Sequence, residues 1–101
     1  MTTYARVGST GLKLNLNLGT DLTEAMDIPT TIYDPDGVVF GTYTAVPSAT
    51  PTDMMAEATI TDTIVDPGRY VVSPVVTFSD GATIPGDAAA FYVYDRKEVV
   101  T

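Results

Sequence analysis

The chemistry open to this chain rests on carboxylates and phenols. Asp34-Pro35-Asp36-Gly37 sets two carboxylates beside a glycine, which resembles the opening of a calcium loop, because a hard cation needs several oxygen ligands around a sharp bend. That loop also needs further ligands and a distal bidentate Glu, and the chain instead continues Val38-Val39-Phe40. The segment therefore reads as a hairpin turn, in which Pro35 presets φ and Gly37 takes positive φ. Calcium shared among Asp34, Asp36 and another acidic loop is the minor alternative. Hydrolysis by paired carboxylates needs two acids at a defined separation across a cleft. Asp34, Asp36, Asp53, Asp62, Asp66, Asp80 and Asp87 all lie in or beside turns, and nothing singles out a pair, so no enzymatic activity is expected.

The phenols suggest recognition instead. Tyr4, Tyr33, Tyr43, Tyr92 and Tyr94 could supply a stacking platform for sugars or bases, and strand alternation puts Tyr92 and Tyr94 on one face with Phe91 and Val93 on the other. Lys plus Arg number 5 and Asp plus Glu 13, a formal charge of −8. Arg6, Lys13, Arg69, Arg96 and Lys97 are too few and too scattered for a phosphate-binding face. The same sign disfavours anionic lipid surfaces. A protein interface is the better use for the tyrosines, with no nucleic acid and no membrane as partner. Cys, His and Trp are absent, which excludes disulfides, Cys/His zinc sites and Ser-His or Cys-His catalytic pairs. No cofactor is expected. The start Met1 to Arg6 has no apolar h-region, so synthesis and retention in the cytoplasm are expected.

The elements that must position these groups are strands. Leu12, Leu14, Leu16 and Leu18 alternate with Lys13, Asn15 and Asn17, a period of two that places the leucines on one face of a strand; a helix would spread them around its circumference. Further strands are expected over 26–33, 38–46, 55–61, 69–78, 82–84 and 89–94, with a helical turn over 54–58 as the alternative at one of them. Turns fall at Asp34-Pro35-Asp36-Gly37, Asp66-Pro67-Gly68, Ser79-Asp80-Gly81 and Pro85-Gly86-Asp87. Six or seven short strands without a convincing helix predict one domain over 1–101. Its fold class is an all-β, antiparallel immunoglobulin-like β-sandwich, with an N-terminal arm over 1–10 and a short tail over 95–101. Pro29 and Pro74 fall inside predicted strands and should sit at an edge or a bulge.

Asp66-Pro67-Gly68-Arg69-Tyr70 has the spacing Asp-x-Gly-x-Tyr that precedes a core strand in immunoglobulin-like domains. There the ring packs into the sandwich and the hydroxyl bonds back to the backbone. Tyr70, Gly68 and Asp66, together with Pro35, Asp36 and Gly37, are therefore the expected fold-determining residues. Tyr4, Val7, Tyr92 and Tyr94 are the candidate interface.

Asp21-Leu22-Thr23, Pro35-Asp36-Gly37 and Gly68-Arg69-Tyr70 occur in an order that resembles the small immunoglobulin-like domains of tailed-bacteriophage structural proteins, notably the N-terminal domain of the upper baseplate protein. Glu24 stands where that pattern has Gly. The resemblance implies a non-enzymatic virion component at the tail, baseplate, neck or head, made in the host bacterial cytoplasm. It would assemble with itself as a homo-oligomer and with other virion proteins by strand addition at sheet edges. The alternatives are a carbohydrate- or surface-binding adhesion module and a small acidic inhibitor of a host protein.

Overall fold

Alternating leucines open the smaller of two sheets. In the computed structural model, which describes residues 4–94 with only the backbone at Tyr4, β2 (Leu12–Asn17) buries Leu14 and Leu16 and exposes Lys13, Asn15 and Asn17. It pairs antiparallel with β7 (Met55–Ile60), which in turn pairs with β6 (Val46–Pro47). The larger sheet runs in the order β1 (Tyr4–Arg6), β10 (Ala89–Tyr94), β8 (Gly68–Phe78), β4 (Pro29–Tyr33), β5 (Val39–Thr44). Two short strands, β3 (Ala25–Asp27) and β9 (Thr83–Pro85), pair with the far half of β8. The sheets face each other across one core, so the fold is the expected immunoglobulin-like β-sandwich. The β1–β10 pair alone is parallel.

Tyr70 lies at the centre of that core, 1 % exposed. Its ring stacks on Phe91 at 5.1 Å and meets Phe40 edge-on at 5.6 Å. Both arrangements suit the ring quadrupole and add to the area burial. Leu14, Leu16, Ala58 and Ile60 from the smaller sheet close against Ile32, Val72, Val76 and Val93 from the larger, and each large aliphatic side chain so buried stabilises the fold by about 1.5–3 kcal/mol. Leu22, Ile28 and Ile64, from the connections, plug the remaining space.

Several boundaries differ from the sequence expectation. The segment 26–33 is two strands, because Ile28 turns inward and its carbonyl accepts from the Ala45 N–H. The segment 38–46 is also two strands, and the chain crosses between sheets at Ala45, buried at 3 %. No helical turn occupies 54–58; a 3₁₀ turn covers Pro51–Asp53, Met54 takes a left-handed conformation, and β7 follows. Pro74 lies inside the central strand β8, neither at an edge nor in a bulge. It is tolerated because both neighbours of β8 change there: β10 reaches Val72 and β9 begins at Val75, while β4 ends opposite Pro74 and β3 begins opposite Thr77. No ladder needs the missing N–H at that point.

The N-terminal stretch is not a free arm over its described part. Tyr4–Arg6 form β1, the Val7 N–H donates to the Tyr94 carbonyl, and Gly8 and Ser9 exchange bonds with Ile64. Residues 1–3 of the expected arm and the expected tail over 95–101 lie outside the described residues.

Candidate functional site

The expected fold-determining residues converge at one corner. The Tyr70 hydroxyl donates to the Asp66 carbonyl at 2.8 Å, the geometry of a tyrosine corner, and burial raises the Tyr70 pKa above its ordinary value. The hairpin at Asp34 is closed by its own carboxylate, which accepts the Asp36 and Val38 N–H groups at 2.9 Å each. Pro35 in that hairpin lies over Gly68, so the two turn motifs meet in space.

Three further acids act in the same way. Asp21 accepts the Thr23 N–H, Asp53 the Met55 N–H and Asp80 the Ala82 N–H, each two residues on. Asp21 also accepts the Thr23 hydroxyl, and this bond, more than the backbone one, holds its carboxyl below the usual range. These are Asx turns, in which a short carboxylate replaces water as acceptor for a turn N–H. Among the described residues no group of three or more His, Cys, Asp or Glu is placed to hold a metal. Two surface hollows also lack the makings of an acid pair: one includes Glu57 as its single carboxylate and the other has none.

The arrangement most suited to recognition is the outer face of the larger sheet. Strands β1, β10, β8, β4 and β5 contain no Asp or Glu, although the chain has 13. On β10, Phe91 and Val93 point into the core while Tyr92 and Tyr94 are 45 % and 51 % exposed. Register puts Tyr92 opposite exposed Arg69, and Tyr94 opposite exposed Arg6. Val71, opposite both Ala90 and Tyr33, continues the surface across β8 to β4. Two of the 5 basic residues thus stand on these five acid-free, tyrosine-bearing strands of a molecule whose net charge is −8.

The five tyrosines considered as a platform do not stay together. Tyr33, Tyr92 and Tyr94 share this sheet's outer side, and the Tyr4 backbone is in register with Tyr92. Tyr43 instead lies over Gly41 on β5 and donates from its hydroxyl to Asp62 at 2.6 Å, closing the edge between the sheets. Burial and this carboxylate raise its pKa. Val7 packs against the core and offers little surface to a partner. Arg6, Arg69 and Val71 were not among the expected interface residues. Alternation around Tyr70 places Arg69 and Val71 opposite the core face, but the strand order that sets Arg69 beside Tyr92 is a long-range property.

No family model matches the chain, and no curated protein does. Among solved structures it is similar to CopC from Methylosinus trichosporium OB3b, with a TM-score of 0.59 and 22 % sequence identity over 98 % of this chain and 89 % of that one. This likeness supports the β-sandwich. It also corrects the expected function: the structural neighbour is CopC, with no link to phages, and a virion role at tail, baseplate, neck or head is set aside. The likeness shows the fold alone, and the chain has neither His nor Cys to offer as metal ligands.

Proposed function

We propose that the chain is a non-enzymatic binding module that docks a protein through the outer face of its larger sheet. The observation that carries this reading is the segregation of charge: five paired strands without an acid, bearing Tyr33, Tyr92, Tyr94, Arg6 and Arg69, on a molecule of net charge −8. Tyrosine and arginine are the residues that most often anchor interfaces. Both offer large contact area, and arginine adds a planar, bidentate donor for carboxylates. A partner presenting carboxylates amid apolar surface matches this face. A basic partner would be drawn to the acidic residues elsewhere but would meet Arg6 and Arg69 on this face.

The test compares capture of soluble proteins from the source organism by the wild-type chain, Arg69→Glu, Tyr92→Ala and Glu57→Gln. Glu57 lies on the smaller sheet and serves as the control. A bound protein with an acidic contact surface that is lost about tenfold or more with Arg69→Glu and Tyr92→Ala, and retained with Glu57→Gln, is expected; about tenfold corresponds to 1.4 kcal/mol. Equal capture by all four chains would overturn the reading.

A further inference from the structure

Among the described residues the outer edge of β2 is a long strand edge without a bulge or a proline, and Lys13 is its single charged guard. In the smaller sheet β2 is terminal, paired on one side with β7, and no described residue pairs with its other side. The open edges elsewhere are guarded: β5 has a register shift against β4 between Ile32 and Tyr33, and β6 is two residues long and ends in Pro47. Bulges, prolines and short strands are the devices that block edge-to-edge pairing. β2 has six residues in unbroken register with β7.

The hydrogen-bond phase of that edge can be read from its ends. The Leu18 N–H donates to the Met54 carbonyl, in line with the β2–β7 register, so the even-numbered residues of β2 bond toward β7. The Ser48 N–H donates to the Met55 carbonyl, so odd-numbered residues of β7 bond toward β6 and even-numbered ones toward β2, which agrees. Lys13, Asn15 and Asn17 therefore direct their backbone N–H and C=O groups outward, away from the sandwich.

From this phase and from the charge of the edge we infer that β2 pairs with β2 of a second copy of the chain, antiparallel about Asn15, joining the two smaller sheets into one of six strands. In that register Asn15 faces Asn15 of the copy, and Lys13 faces its Asn17. No like charges stand opposite each other, and no carboxylate lies on the strand. A basic segment would set its cations beside Lys13, whereas β2 of a second copy sets that single charge against an amide. On the adjoining flank the larger sheet presents Ala89 and Ala90, both small and exposed, beside a hollow bounded by Leu14, Leu16, Val72 and Phe91. No bulky described side chain there obstructs the approach.

Because each copy is strongly acidic, long-range repulsion opposes association and salt relieves it, so the dimer strengthens with ionic strength. Sedimentation should show the wild-type chain moving from the 10.7 kDa single-chain mass toward twice that value as salt is raised, from about 0.05 M to about 0.5 M. Asn15→Pro should abolish the shift while leaving the circular dichroism of the fold intact, since the N–H it removes points outward. The chain has no Cys, so Asn15→Cys supplies a reading independent of that variant's folding. Under mild oxidation it should form a disulfide-linked dimer at least about tenfold faster than Thr42→Cys on the outer face of β5, as its Cα atoms would be about 5.5 Å apart. A wild-type chain at single-chain mass in both salts, or equal cross-linking of the two cysteine variants, would overturn the inference.

Discussion

A Cβ added to Gly68 would come within 2.6 Å of Pro35 Cγ, and Gly68 has φ +133°, a conformation that L side chains rarely adopt. The start of β8 and the β4–β5 hairpin thus fit together only because one residue has no side chain. Gly68→Ala is expected to destabilise the fold by about 1–3 kcal/mol from the backbone conformation, with the clash added. Urea unfolding measures the cost. In a Pro35→Gly background the same substitution should cost less, because only the backbone part remains. Equal costs in the two backgrounds would show that the contact carries no energy.

Tyr70 divides its contribution between ring and hydroxyl. Tyr70→Phe keeps the packing against Phe91 and Phe40 and loses the bond to the Asp66 carbonyl, an expected loss of about 1 kcal/mol. Tyr70→Ala also empties the centre of the core and should cost about 3–5 kcal/mol. Near-equal losses for the two variants would place the energy in the corner bond rather than in the rings.

The fold was largely legible because its signals are local. Four alternating leucines announce β2, and Asp-x-Gly-x-Tyr announces the entrance to β8. The splits at Ile28 and Ala45 were not legible, since each segment reads as a single strand up to its bounding turn and only the long-range packing breaks it. The candidate site was half legible. Alternation exposes Tyr92 and Tyr94, but their neighbours Arg69 and Arg6 are supplied by strands 23 and 88 residues away along the chain (92 − 69 and 94 − 6). The acids were legible as turn residues for a physical reason, that a short carboxylate reaches the N–H two positions ahead.

Alkaline pH should unfold the protein through two of its tyrosines. Tyr43 and Tyr70 have folded pKa values raised above 10.0, chiefly by burial. A raised folded pKa means that the stabilisation is fully present below the unfolded value and is lost as pH rises beyond it. Stability should therefore fall above about pH 10, and Tyr43 and Tyr70 should resist ionisation in a phenolate absorbance titration. Tyr43→Phe should reduce the alkaline loss. Asp21 works in the opposite sense. Its folded pKa lies below 3.8, so its stabilisation is present above the unfolded value and is lost as pH falls through the folded one. Asp21→Asn should flatten the acid limb of the stability curve.

Copper(II) should leave the protein unchanged. Without His or Cys, an equimolar addition of copper(II) is expected to produce no shift in Tm, and chelation none either. A rise in Tm that chelation reverses would show that carboxylates, amides or thioethers of this chain form a site.

The central claim is that the acid-free tyrosine and arginine face receives the partner. Its most direct test places a photoreactive side chain at position 92 in one variant and at position 57 in another, then irradiates each in extract of the source organism. The account predicts that position 92 captures an acidic protein and that Arg69→Glu in the same chain removes the product, while position 57 captures nothing at that mass. Capture at position 57 with none at 92, or capture at 92 that survives Arg69→Glu, would contradict it.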